Sequence, residues 1–410
     1  SLRNFRVIAS MDSTSTTTKS VTARLAYVGA NVLLYIDTLA PASGFTAAQL
    51  NGFGQLFDNT LYPIDISTFG QPTDIDGNGH LIMLLSPAVN ALTPTNECQT
   101  EGYVAGFFDG YDLVGTDSNS NRGELFYGIV PDPNGTVSCA HTVDALVASV
   151  PSTFLHELQH LISFSQHVLV HRGDSEAGWL DEGMSIVAEE LGAVHYEQEF
   201  PPPTGRTNPA QLFPDSAEGF MTGVIEDSYA YLQRTDTSAV TLHSDADGGL
   251  TWRGGDWLLL RWLGDQFGSG FYRTLDQGSA TGIANIEAAS GTPFPTLFGS
   301  FSLALYTDSI PGVPRAAAPA ADRFVSRNLR QLYQAYYRAA GPSPYVPTPF
   351  PFTPTPLTGS VTARLLPGSM AFYAVTASSA APTLTLQFAT PAGGALPSGL
   401  HPQLSVYRLQ

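Results

Sequence analysis

Lysine is nearly missing from this 410-residue chain, with Lys19 the only one. Charged residues of all kinds make up 13% of it, about half the ~25% of an average globular protein. The formal net charge is −18. A surface so acidic repels phosphate backbones, which argues against nucleic acid as a partner. Anionic membrane surfaces are disfavoured for the same reason. No apolar run approaches the ~20 residues of a spanning helix, so no membrane span is expected. With no initial Met and no basic-then-apolar leader, the chain reads as a mature or trimmed product. Cysteine is scarce too, with only Cys98 and Cys139. An even pair among Ser/Thr/Asn-rich loops fits an exported protein with one disulfide. Closing a loop of roughly 40 residues is worth about 4 kcal/mol in the chain-entropy model. Two unrelated buried thiols are the alternative.

What the chain does have is apolar mass, 43% of residues, enough for a substantial core. Its 39 glycines and 30 prolines predict many turns and irregular connections. Residues 1–20 end in a polar tract, "DSTSTTTKS", without helical period. "VTARLAYVGANVLLYID" predicts two strands hinged at Gly29. Phe45, Leu50, Phe53, Leu56 and Phe57 follow a helical period, and "HLIMLLS" is a short apolar run typical of a buried strand. Strand, helix, strand in that order is an α/β beginning.

The pattern turns helical from about Thr142 to Gly192, interrupted by "HRGDSEAG". Residues 200–250 read mostly as Pro/Gly/Asp-rich connection. "GGDWLLLRWLGDQFG" is an amphipathic helix ending at Gly268. The proline density of 341–359 forbids helix or central strand and predicts an extended connector. Beyond it, alternation of apolar and polar residues predicts a small β module over 360–410.

The chemistry concentrates in "STFLHELQHLISF", residues 152–164. Positions i and i+4 share one helix face, so His156 and His160 can aim both rings at one point. Zn²⁺ accepts imidazole nitrogen at about 2.0–2.1 Å, which rings on adjacent turns satisfy without strain. Glu157, beside the first histidine, is placed to take a proton from water at the metal. This is the H-E-x-x-H spacing. The pentapeptide arises by chance in roughly one chain in a hundred of this length, so a third ligand decides more. A metzincin would place glycine where Phe164 stands, so that pattern fails even though His167 follows seven residues after His160. In "GWLDEGMSIVAEEL", Glu182 opens a new helix that the intervening loop can fold back against the first, completing a His₂Glu set.

"HELQH" followed by "WLDEGMS" resembles the glutamate-zincin (gluzincin) clan, and most of all the hyicolysin family of secreted bacterial metallopeptidases. "DIDGNGHLIMLLS" and "GGDWLLLRWLGDQFG" are similar to that family's surroundings, so the resemblance covers about 21–310. It implies an α+β, zincin-like domain over 21–340, with an N-terminal mixed sheet and a mainly helical second half. It also implies Glu182 as third zinc ligand and protein or peptide substrates. Either Glu189 or Asp181 would hold the outer nitrogen of a zinc histidine. The alternatives are a solvated Glu189–Glu190 pair, and a helix cap for Asp181. In related aminopeptidases a tyrosine supplies the oxyanion donor, and here Arg253 aligns with it. Arg253, Tyr229, Tyr231 and His243 are the candidates. No G-x-M-E-N-type stretch for a free amino terminus is present, which favours an endopeptidase over an aminopeptidase. A third reading is a surface adhesion protein built on a degenerate peptidase domain, with the β tail as its working part.

"DIDGNG" places Asp74, Asp76, Asn78 and Gly79 at the first, third, fifth and sixth positions of a calcium loop. The twelfth position is Leu85, so the bidentate glutamate is missing, and a tight turn before a strand is the competing reading. His80, His141, His171, His195 and His401 have no partner pattern and read as structural.

Overall fold

The computed structural model describes residues 1–12, 15–98, 102–199, 215–243, 249–311, 319–340, 345–376 and 385–408. The architecture is α+β: a six-stranded mixed sheet in the first third, helices thereafter. In the sheet, β1 (Leu2–Ile8), β2 (Thr18–Val28), β3 (Val32–Asp37), β4 (Leu81–Leu85), β5 (Gly106–Phe108) and β6 (Leu125–Gly128) lie in the order β1-β2-β3-β4-β6-β5. The first three strands form an antiparallel meander, β3, β4 and β6 are parallel, and β5 returns antiparallel as the edge. The parallel step from β3 to β4 needs a crossover, which α1 (Ala47–Leu56) and α2 (Tyr62–Thr68) supply. All five residues of β4 are buried, as a central parallel strand requires. Residues 1–20 contribute the edge strand β1, with Phe5 and Val7 in the core, so this segment belongs to the sheet.

The longest helices carry the site. Helix α3 (Val143–Phe164) starts at Thr142, whose hydroxyl accepts from Ala145 N, with Asp144 in the first turn. Leu146, Val150, Phe154, Leu158 and Leu161 form its buried stripe. Phe154 stands edge-on to Phe126 of β6, which seats the helix against the sheet. The loop "HRGDSEAG" then reverses the chain. Glu176 anchors it by accepting from Ala177 N, Gly282 N and Asn285 Nδ2. Helix α4 (Gly178–Glu199) follows.

The expectation of a connection over 200–250 is corrected in its second half. Residues 201–214 lie outside the described residues, but Asp215–Leu232 is an 18-residue helix, α5. Phe220, Met221, Val224, Ile225 and Tyr229 are buried at helical spacing there, and this face packs where the Pro/Gly-rich flanks drew attention away from it. Helix α6 (Thr251–Phe267) ends at Gly268, whose φ of 86° is the conformation glycine adopts without penalty. Helices α7 (Gly270–Asp276), α8 (Gly282–Ser290), α9 (Phe294–Thr307) and α10 (Leu329–Ala340) complete the helical half.

The Pro-rich stretch docks along its described part. Val346 and Phe352 are buried, Thr348 bonds Tyr229, and Phe352 packs on Phe372. The β tail expected over 360–410 reduces, among the described residues, to the two-residue strand β8 (Tyr373–Ala374) beside β7 (Thr355–Pro356). Val361, Leu365, Phe388, Leu404 and Val406 are exposed. An alternating pattern without partner strands and a second layer does not make a sheet. Cys98 and Cys139 are disulfide-bonded, with Cα atoms 5.9 Å apart. No helix among the described residues is long and apolar enough to cross a membrane.

Candidate metal centre

His156 and His160 lie one turn apart on α3, with ring centroids 4.8 Å apart. Glu182 faces them from the first turns of α4. Its carboxylate is 3.4 Å from His156 Nε2 and 3.9 Å from His160 Nε2. One donor atom from each of the three lies within 4.8 Å of the others. Four-coordinate zinc holding ligands at 2.0–2.1 Å places them about 3.3–3.4 Å from one another. The two distances to Glu182 therefore need only sub-ångström adjustment.

The other ring nitrogens are taken. His156 Nδ1 is 2.8 Å from Glu189, and His160 Nδ1 is 2.9 Å from Asp181. A carboxylate at Nδ1 accepts the outward ring N–H, so a cation that replaces the Nε2 proton would meet a lone pair directed toward Glu182. Glu189 is held in turn by the Ser152 hydroxyl, which donates to it at 2.5 Å. Sequence offered Glu189 or Asp181, and the fold brings in both, one for each ring. Glu190 is no solvated neighbour of Glu189. It is fully buried and accepts from Arg327 and Trp257, with Arg261 close by.

Glycine follows Glu182 for a packing reason. A Cβ on Gly183 would come within 2.7 Å of Leu260 and 3.0 Å of Asp256, both on α6. That close approach brings α6 and its Arg253 to the site, where the guanidinium donates to Glu182. Of the other candidate donors, Tyr229 and Tyr231 stand on α5 and are fully buried, not on a loop. The Tyr229 hydroxyl is bonded to Thr348. His243 lies tilted against Trp252 and sits over Gly178 at the start of α4.

The electrostatics favour a cation. Burial works against charge on His156, but hydrogen bonds to Glu182 and Glu189 outweigh it and push the imidazole up to about 10. His160 moves up against the same burial, through Asp181 and Glu182. Burial opposes ionisation of Glu182, yet Arg253 and the two histidines hold it well below the usual carboxylate range. A pocket that draws protons onto two imidazoles is a pocket that attracts a divalent cation. Glu157 is 5% exposed, and burial raises its carboxyl although both histidines pull it down. Its side chain lies against Gly106 of edge strand β5, where an added Cβ would meet its Cγ at 3.4 Å.

Asp227 was missed by sequence reasoning. It lies on α5, where its charge acts on Arg253, and burial pushes its carboxyl up to about 7. Reading the period of Phe220, Val224 and Tyr229 as a helix would have been the signal for it. His167 is fully buried, 3.7 Å from Glu176, and belongs to the anchoring of the loop.

Two imidazoles on one helix and a carboxylate on the next bring together, on an α+β frame, a donor set able to hold a metal ion. No family model matches the chain. Over 191 residues it is 26% identical to the neutral metalloprotease ShpI of Staphylococcus hyicus. The aligned part is 46% of this chain and 40% of that protein, so the chain spans well under two thirds of its relative.

Proposed function

We propose that the chain is a secreted, zinc-dependent endopeptidase of the gluzincin type, with a hyicolysin-like domain over 21–340. The observation that carries the proposal is the meeting of His156 Nε2, His160 Nε2 and the Glu182 carboxylate, with Glu189 and Asp181 behind the rings. Two nitrogens and one anionic oxygen fit zinc in a hydrolytic role. Zinc held there would supply the Lewis acidity that peptide hydrolysis needs at neutral pH.

The chain's own residues do the rest. Glu157, its carboxyl raised by burial, accepts the proton of the attacking water and returns it to the leaving amine. Among the described residues strand β5 is an edge of the sheet and runs beside Glu157, so an extended peptide can add to the sheet there. Arg253, already at Glu182, is the candidate that reaches the ligand set, and it would donate to the developing oxyanion. Adhesion through a degenerate domain is disfavoured, because decay would be expected to remove ligands or their carboxylate partners.

The test is zinc analysis alongside casein hydrolysis by wild type and Glu157→Gln. The variant should bind zinc as wild type does and lose roughly 10²–10⁴-fold in kcat/KM. A fully active variant would overturn the assignment. Equal cleavage of N-terminally blocked and free peptides separates an endopeptidase from an aminopeptidase.

A further inference from the structure

We propose a second cation site, for calcium, made by Asp74 and Asp76 of the "DIDGNG" loop and Glu124 at the start of β6. Sequence alone shows a calcium-type loop that lacks its last ligand, because position twelve, Leu85, is a buried residue of the central strand. The fold brings in another carboxylate. Ile82 N donates to Glu124 O, so the pairing of β4 with β6 carries Glu124 to the mouth of the loop. One oxygen from each of Asp74, Asp76 and Glu124 lies within 4.8 Å of the others. Oxygens on opposite sides of a calcium ion, with bonds of 2.3–2.6 Å, are about 4.6–5.2 Å apart. The three fit around one such ion.

Glu124 is what separates this cluster from an ordinary acidic turn. It is 2% exposed. Its Oε1 accepts from Ile75 N at 2.8 Å and from Thr73 Oγ1 at 3.1 Å. Its Oε2 is buried and takes no hydrogen bond, while two further carboxylates stand close by. A buried carboxylate oxygen left without a donor, among like charges, is costly unless a cation completes it. An all-oxygen set of irregular geometry selects calcium over zinc, and over magnesium with its stricter octahedron. Asn78 turns its amide to the loop itself, donating to Asp76 and accepting from His80 N.

The site has a structural consequence. Thr73, which donates to Glu124, also lies 3.2 Å from Ser165 Oγ, just past the end of α3. Gln166 Nε2 donates to Gln71 O beside it. Calcium would therefore fasten the loop to the C-terminal end of the histidine helix, the end nearer His160.

The experiment uses zinc-loaded full chain freed of calcium, titrated with CaCl₂ by calorimetry and followed by thermal melting. One ion per chain should bind, with a dissociation constant at or below about 10⁻³ M, and Tm should rise saturably by a few degrees. Glu124→Gln and Asp76→Asn should each weaken calcium binding at least about tenfold and abolish the rise, with zinc content unchanged. Asp76 lies on the exposed loop, so its variant carries the test if Glu124→Gln does not fold. Absence of saturable binding, unchanged binding in a folded variant, or an equal response to magnesium would overturn the proposal.

Discussion

Two clusters of carboxylates lie toward the same, C-terminal end of α3 and are built on opposite principles. Around His156 and His160, every group is carried by a helix and each ring is held from behind, by Glu189 or Asp181. Around Asp74, Asp76 and Glu124, the groups come from a turn and a strand end, and two of the three are exposed. The first fixes directions and offers nitrogen. The second holds its carboxylates with donors of the loop itself and offers oxygen. An ion that demands few ligands in a set geometry suits the first, and one that tolerates six to eight irregular oxygens suits the second. The same residue type, carboxylate, is a ligand in one cluster and mostly a support for ligands in the other.

The sharpest break in that contrast is to remove the one carboxylate that serves as ligand in the helical cluster. Glu182→Gln keeps an oxygen to accept from Arg253 but loses the anion. Zinc should be lost under dialysis and peptide hydrolysis fall to background, with far-ultraviolet circular dichroism unchanged. Zinc retained at wild-type stoichiometry would mean the third ligand lies elsewhere. A smaller effect is expected from the supports. Glu189→Ala and Asp181→Ala should each cost 10–100-fold in zinc affinity, measured by competition with a chromogenic chelator. If neither moves the affinity, the rings are held by packing alone and the contrast between the clusters weakens.

How much of this was readable in advance follows from sequence distance. His156, His160 and Glu157 share one helical turn, so their spacing states their geometry directly. Glu182 is one loop away, and a short reversing loop leaves few placements for the next helix. The strands hinged at Gly29 and the buried run before Ser86 were equally local, and the structure has β2, β3 and β4 there. What was not readable is what tertiary packing alone decides. Glu124 is 48 residues from Asp76 and meets it only through strand pairing. Arg253 reaches Glu182 only because Gly183 lets two helices close. Helix α5 went unseen because turn-forming flanks outweighed its buried period. The tail failed in the other direction, since alternation is necessary for a half-buried strand but does not provide the neighbour.

The smallest effect expected is on stability, and it touches the helix that sequence reading overlooked. Burial pushes the Asp227 carboxyl up to about 7, with Arg253 pulling the other way and Glu189 and Glu226 adding to the rise. In an unfolded chain the group titrates near 3.9. A carboxyl raised on folding favours the protonated native state, so its contribution is full below about pH 4 and is lost as pH rises through about 7. Asp227→Asn cannot ionise and should escape that loss. Relative to wild type, its Tm should be higher by a few degrees at pH 8 than the same comparison shows at pH 4. Taking the difference between the two proteins cancels the titration of distant groups common to both. A Tm difference that stays constant from pH 4 to 8 would mean that Asp227 titrates alike in the folded and the unfolded chain.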